Sequence, residues 1–244
     1  MDIEAPASLG SRTVEAGRGV EWWSQAWALF TKAAGLWIVL GLLLFVVLAV
    51  IGLVPLLGAL VSSLLIPVFL GSWMLAARKV EGGGALEVAD LFTAFRGDKL
   101  KPLLVLGGLL LAALIVMGVV GGTLGMGAAM GMVLGGAADS AGAVVAAMGA
   151  SMMALLAVLA IGVLVAMAIW FAPGLVVFRG AAPVDALRAS FAASLKNMVP
   201  MLIYGLIYIA ASVVASIPFG LGWVVLVPVT LLTVYTSYKD VFAD

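Results

Sequence analysis

The sequence predicts an all-α, polytopic membrane helix bundle with six transmembrane helices, and three observations carry that prediction. The first is composition. Of 244 residues, 65% are hydrophobic and only 10% charged, with a mean hydropathy of +1.29; a water-soluble domain is about half apolar and about a quarter charged. The second is the recurrence of uncharged apolar runs near the roughly 20 residues that a helix needs to cross hydrocarbon. A helix pairs its own backbone N–H and C=O groups within one segment, and the alternating pattern of a barrel strand is absent. The third is the placement of charge, which sorts the connections into two kinds.

The elements follow in chain order. Residues 1–18 mix acids and bases ahead of any apolar core, unlike a secretory signal, and are expected to form a flexible, water-exposed tail. That leaves 19–244 as a single membrane domain. Spans are expected at 34–53, 56–77, 103–122, 151–173, 200–217 and 221–238. All twelve Lys and Arg residues fall before the first span, between the second and third, between the fourth and fifth, or after the sixth. The connections at 54–55, 123–150 and 218–220 hold none. Cytoplasmic loops carry the excess of Lys and Arg, so both termini are expected in the cytoplasm.

A unit recurs. PVFLGSWMLAARKV (67–80) lies over PVTLLTVYTSYKDV (228–241), and stepping backwards 20–44 lies over 184–208, which aligns Lys32 with Lys196 and Gly41 with Gly205. A weaker copy starts near Glu87, with Phe95 and Pro102 in the places of Phe191 and Pro200. The expectation is three parallel repeats, each an amphipathic helix followed by a transmembrane hairpin: 20–80, 85–179 and 183–241.

The amphipathic stretches supply the candidate membrane-interface residues. Trp23, Trp27 and Phe30 make an aromatic stripe with Trp22 beside it; Val88, Leu91 and Phe95 form a second, and Val184, Leu187, Phe191, Leu195 and Met198 a third. Such helices lie at the headgroup level, either as plain anchors that set helix depth or as a collar that grips lipid.

Residues 117–153 break the repeat. Glycine and alanine dominate, seven of the twelve methionines fall here, and an insertion at 123–150 replaces the tight turn expected. Gly127, Gly131 and Gly135 form GxxxGxxxG, a spacing that lets another backbone approach closely, within the subunit or in a homo-oligomer. The segment reads as a helical extension of spans three and four or as a re-entrant hairpin. Its methionines suit a soft apolar surface for a hydrophobic client. Met126, Met130 and Met132 suit Cu(I) less well, because no Cys or His supports them.

Chemistry is sparse. Without Cys or His the chain builds no thiol nucleophile, disulfide, Cys/His zinc site or histidine-ligated haem. No Asp, Glu, Lys, Arg or His falls near the midplane of any span, where a catalytic or proton-coupled site announces itself. The acids Glu81, Glu87, Asp90, Asp98 and Asp185 read as a solvated, mixed-sign surface. Zero net charge argues against a nucleic-acid partner. The expectation is a non-enzyme with no cofactor and no metal. Its partners are the phospholipid bilayer and either a second copy or another membrane protein.

The stretches WFAPGLVVFRGAAPVDALRASFAASLKNMVP (170–200) and WWSQAWALFTKAAGLW (22–37) carry a resemblance. They resemble a proteobacterial group of six-helix inner-membrane proteins, similar in layout to YciC-like proteins and to the membrane domain of glycerophosphodiester phosphodiesterases. The resemblance implies a multi-pass protein of the bacterial inner membrane and carries over no catalytic residue. The functional expectation is a structural, assembly or lipid-interacting role. The alternative is a passive channel or transporter for a small or apolar solute.

Overall fold

The computed structural model describes residues 9–134 and 141–242. In chain order these form α1 (Arg18–Lys32), α2 (Ala34–Gly52), α3 (Leu57–Glu81), a 3₁₀ helix (Val88–Phe95), α4 (Leu100–Leu134), α5 (Ala141–Ile169), α6 (Ala172–Arg179), α7 (Pro183–Lys196), α8 (Met198–Ser216) and α9 (Trp223–Phe242). No strand occurs among the described residues. Six segments are long and apolar enough to cross a membrane: α2, α3, the first part of α4, α5 running on into α6, α8 and α9. This is an all-α, multi-pass membrane protein.

The chain divides into two compact units, one formed by the chain up to Gly108 and from Met167 onward, the other by Leu109–Ala166. In the larger unit α3 and α9 are central. Half of the membrane window of α3 and 67% of that of α9 are buried, against 17% for α2 and α8. The difference follows from sequence: α2 is apolar all round and exposes Phe45, Val46 and Val50, which hydrocarbon solvates as well as a protein core does. Close contacts fix the centre. Trp37 of α2 packs on Trp73 of α3 with ring centroids 5.2 Å apart, and Gly41 lies under the Pro228 ring, where an added Cβ would come within 3.0 Å of Cγ. At Gly107 a Cβ would fall 2.4 Å from the Leu64 carbonyl oxygen, so α3 and α4 touch backbone to backbone there.

The descent from α5 into α6 is broken for a chemical reason. Pro173 has no N–H, so the Ile169 carbonyl loses its i+4 donor and the helix stops. The chain bends at Trp170 and Phe171 and resumes as α6, which ends on Gly180 in the left-handed region (φ 63°). There Gly180 N–H donates to the Val176 carbonyl at 3.1 Å, the bond of an αL cap, and Ala181 N–H to the Leu175 carbonyl at 3.2 Å. The groups freed at the bend are taken by α7. Ser190 and Ser194 hydroxyls donate to the Met167 carbonyl at 2.9 and 3.0 Å, and Ser190 Oγ accepts from Phe171 N–H at 3.0 Å.

In the smaller unit the insertion continues the flanking helices, and among the described residues there is no re-entrant turn. α4 runs twelve residues past the expected end at 122, to Leu134, and α5 begins at Ala141 instead of 151. At 1.5 Å per residue α4 is about 52 Å long, well over the ~30 Å hydrocarbon thickness. The two helices approach closely at Gly121, where a Cβ would lie 2.8 Å from Val158 Cγ2.

The tail departs from expectation. Residues 9–17 carry no helix for most of their length, yet they are tied down. Arg12 N–H donates to the Val241 carbonyl at 2.9 Å. Asn197, fully buried at the α7–α8 junction, accepts from Val14 N–H at 2.8 Å and donates to the Arg12 carbonyl at 3.0 Å. A side-chain amide thus stands in for a neighbouring strand and satisfies the extended backbone. The remaining expected tail, residues 1–8, lies outside the described residues.

Candidate functional site

The most developed polar constellation lies where the last turns of α9 meet α1 and the end of α3. Apolar α9 ends in a polar stretch, TVYTSYKD, that nevertheless stays helical and buried. Thr233, Thr236 and Asp240 fall at spacings of three and four, which is one helical face, and that face meets α1. Thr236 Oγ1 donates to the Trp22 carbonyl at 3.0 Å. Asp240, only 4% exposed, accepts at Oδ2 from Trp22 Nε1 at 2.9 Å and from Arg18 Nε at 2.6 Å, and at Oδ1 from Arg12 Nη2 at 2.8 Å. Arg12 Nε also donates to the Asp240 carbonyl at 2.5 Å. One carboxylate therefore collects three side-chain donors from a segment more than two hundred residues away. A buried charge is tolerable when it is paired and its lone pairs are filled. The Asp240 hydrogen bond in turn holds the Arg18 guanidinium above its ordinary pKa.

A second node lies on the neighbouring face of α9. Tyr235 and Lys239, four residues apart, both reach Glu81 at the end of α3: Tyr235 Oη donates to Oε2 at 2.6 Å, and Lys239 Nζ pairs with Oε1. Nearby, Lys79 pairs with Asp90 at 3.0 Å and Glu87 at 3.4 Å, while Asp90 caps the 3₁₀ helix by accepting Glu87 N–H at 2.8 Å. Glu87 is largely solvated, as a mixed-sign surface requires, whereas Glu81 and Asp90 are partly buried ion pairs. Between the two nodes opens a cleft of 520 Å³ lined by Arg12, Arg18, Gln25, Lys32, Glu81, Lys239 and Asp240. Both carboxylates are engaged with cations and hydroxyl or indole donors on the walls, so neither is arranged as a general base or nucleophile.

The aromatic residues named from the sequence fall on both sides of the surface. Trp22 is fully buried and Phe30 is 4% exposed. Neither sits at a lipid interface, which corrects the interface reading for these two. The α1 face of Gly19, Trp22, Ala26, Leu29 and Phe30 turns inward because α9 and α8 offer it a partner. Trp23 is half-buried, stacks on Tyr204 at 5.2 Å and donates from Nε1 to the Tyr204 carbonyl at 3.4 Å. Trp27 alone of the α1 aromatics is more than half exposed. Phe95 is half-buried in a cluster with Phe69 and Phe92. Phe191 is half-buried on α7.

That helix has the opposite sidedness to α1. Its buried residues are Ala186, Ser190, Ala193 and Ser194; of the apolar stripe Val184 and Leu195 are about half exposed, as is Met198 at the start of α8, while Leu187 packs partly buried against the core. In the insertion Gly127 faces open space; Gly135 lies outside the described residues, as do the surroundings of Gly131 and the side chains of Met126 and Met132. Met130 is 52% exposed.

Sequence reasoning missed Arg12, Arg18, Asn197, Tyr235 and Asp240. The available signal was the 233/236/240 polar spacing inside a span-like segment.

Over 212 residues the chain is 28% identical to a protein of Burkholderia thailandensis described as a probable inner membrane protein, covering 86% of this chain and 78% of that one. No family model matches the chain, and no solved structure matches it.

Proposed function

We propose that this is a non-enzymatic protein of the bacterial inner membrane with a structural and lipid-directed role, its termini in the cytoplasm. The observation that carries the reading is α7. Its small and hydroxylic face is locked against the α5–α6 bend, while Val184 and Leu195 are left facing outward at the charged end of the larger unit. A helix with that sidedness, at the level where basic residues gather, suits the headgroup–acyl boundary. The name of the Burkholderia relative supports the inner-membrane assignment, and the one-sided distribution of Lys and Arg supports the orientation. The duplicated architecture is supported by matching element order: α1, α2 and the Pro67-containing α3 parallel α7, α8 and the Pro228-containing α9. Packing of Trp37, Trp73, Gly41 and Pro228 at the centre supports a solid bundle.

A second reading, passage of a small apolar solute, is favoured by one feature. A groove of 330 Å³ between α2 and α9 is lined by apolar residues throughout, Gly41, Phe45, Leu48, Trp223, Val227 and Pro228 among them.

Extraction directly into nanodiscs from the host membrane, followed by mass spectrometry of the retained lipid, separates the two. Lipid retained in stoichiometric amount, and lost when Val184 and Leu195 become Asn, supports the lipid-directed role. Bulk-like lipid together with solute flux across reconstituted vesicles would overturn it.

A further inference from the structure

The cleft between the two carboxylate nodes has a charge imbalance that the fold does not use. Four cations line it, Arg12, Arg18, Lys32 and Lys239, against the carboxylates Glu81 and Asp240 on its walls and Glu21 paired with Arg18 beside it, a net of one positive charge. The carboxylates are spent: Asp240 is held by Arg12, Arg18 and Trp22, and Glu81 by Lys239 and Tyr235. The cations, three of them ion-paired, keep exposed donors. Lys32 is exposed and makes no ion pair among the described residues. Arg12 keeps 56% of its side chain accessible, Arg18 31% and Lys239 35%. Each guanidinium has five N–H donors, more than its contacts here use.

We propose that this cleft binds a phosphate-bearing anion. The geometry suits that chemistry in three ways. The arginines are already held in place by Asp240, so little side-chain freedom is lost on binding. A planar guanidinium matches phosphate oxygens through paired N–H donors, and Lys32 and Lys239 add point charges. The volume of 520 Å³ lies within the range of small-ligand pockets, roughly 300–1,000 Å³. Anionic phospholipid headgroups and soluble phosphate monoesters share this chemistry, and the cleft selects for the phosphate group itself. The site is on the 9–17 segment, α1, α3 and α9, and the outward residues Val184 and Leu195 of α7 do not line it, so it stands or falls separately from the lipid-directed role proposed above.

The test uses the full chain in nanodiscs of phosphatidylcholine, with binding followed by thermal shift and by microscale thermophoresis. Dihexanoyl phosphatidic acid and dihexanoyl phosphatidylglycerol probe the headgroup source, glycerol 3-phosphate and inorganic phosphate the soluble source, and dihexanoyl phosphatidylcholine is the zwitterionic control. Saturable binding is expected in at least one arm, weakened tenfold or more by Lys32→Gln and further by Lys32→Gln with Arg12→Gln, and unchanged by Lys196→Gln or Lys101→Gln outside the cleft. Binding in the lipid arm alone assigns the site to a headgroup; binding of glycerol 3-phosphate or inorganic phosphate assigns it to a soluble compound. Lys32 makes no ion pair among the described residues, so its variant keeps the fold, and an unchanged thermal midpoint without ligand verifies this. Absence of saturable binding in both arms overturns the proposal, as does equal weakening by Lys196→Gln.

Discussion

α1 and α7 begin alike and end differently. Both are amphipathic, 15 and 14 residues long, and each precedes a 19-residue span. Yet α1 turns its aromatic and apolar face into the protein, while α7 turns a face of Ala and Ser inward and leaves Val184 and Leu195 outside. What differs is what waits opposite. α1 meets the polar end of α9, where Asp240 and Thr236 satisfy Trp22 on both its indole and its carbonyl. α7 meets the unpaired groups of a broken helix, and only a small hydroxylic side chain fits close enough to pair them. Amphipathicity therefore specifies two faces, and the neighbour's unsatisfied groups decide which of them is buried.

Substitutions break or sharpen this contrast. The largest effect is expected from Asp240→Ala, which strands Arg12, Arg18 and the Trp22 indole at once. Removing one partner of a buried pair costs about 3–5 kcal/mol, and partial exposure of both arginines places the expected loss near the lower end. Protease cleavage around residue 12 should rise together with the fall in thermal midpoint in detergent; a stable, uncleaved variant would show that α1 docks without its anchor. Next, one change applied to both helices reads sidedness directly. Leu29→Gln, at a 5% exposed site, is expected to cost about 2–3 kcal/mol. Leu195→Gln, at a 46% exposed site, is expected to stay within about 0.5 kcal/mol. Equal losses would erase the distinction.

A smaller effect is expected at the α7 serines. Both donate to the same Met167 carbonyl, so Ser194→Ala alone should cost about 0.5 kcal/mol and the double Ser190→Ala, Ser194→Ala variant about 2 kcal/mol, more than twice the single change. Additive losses in denaturant titration would mean that the shared acceptor is unimportant. The smallest concerns Trp27, the exposed aromatic of α1. Trp27→Ala should leave the thermal midpoint within about a degree, and fluorescence quenching by brominated lipid should drop by the contribution of one surface indole; unchanged quenching would place that ring away from lipid.

The spans were readable because hydrocarbon imposes a length and excludes charge. The expected 34–53 became Ala34–Gly52, and 200–217 became Met198–Ser216. Where hydropathy fell, boundaries slipped: α9 continues to Phe242 through TVYTSYKD because its hydroxyls and carboxylate find partners, which no local window reports. The insertion exceeded its expected helical ends for the converse reason, since glycine and alanine dilute hydropathy without stopping a helix flanked by apolar neighbours. The polar site was opaque because Asp240 and Arg12 lie 228 positions apart, and terminal charges read in isolation look like ordinary solvated ends. Periodicity puts Val184, Leu187, Phe191 and Leu195 on one face of α7 but carries no information on its direction; the clue lies in the opposite face, which is small and uncharged.

The Trp22–Asp240 bond joins groups separated by 218 positions, and this has a consequence in time. At 5–20 residues per second, the ribosome delivers the acceptor roughly 10–45 s after the donor. During that interval the Trp22 indole and the Arg12 side chain lack their acceptor, and Arg18 has only Glu21 of its own helix. The full set of contacts around the buried face of α1 is therefore complete only when the final turn of the chain emerges.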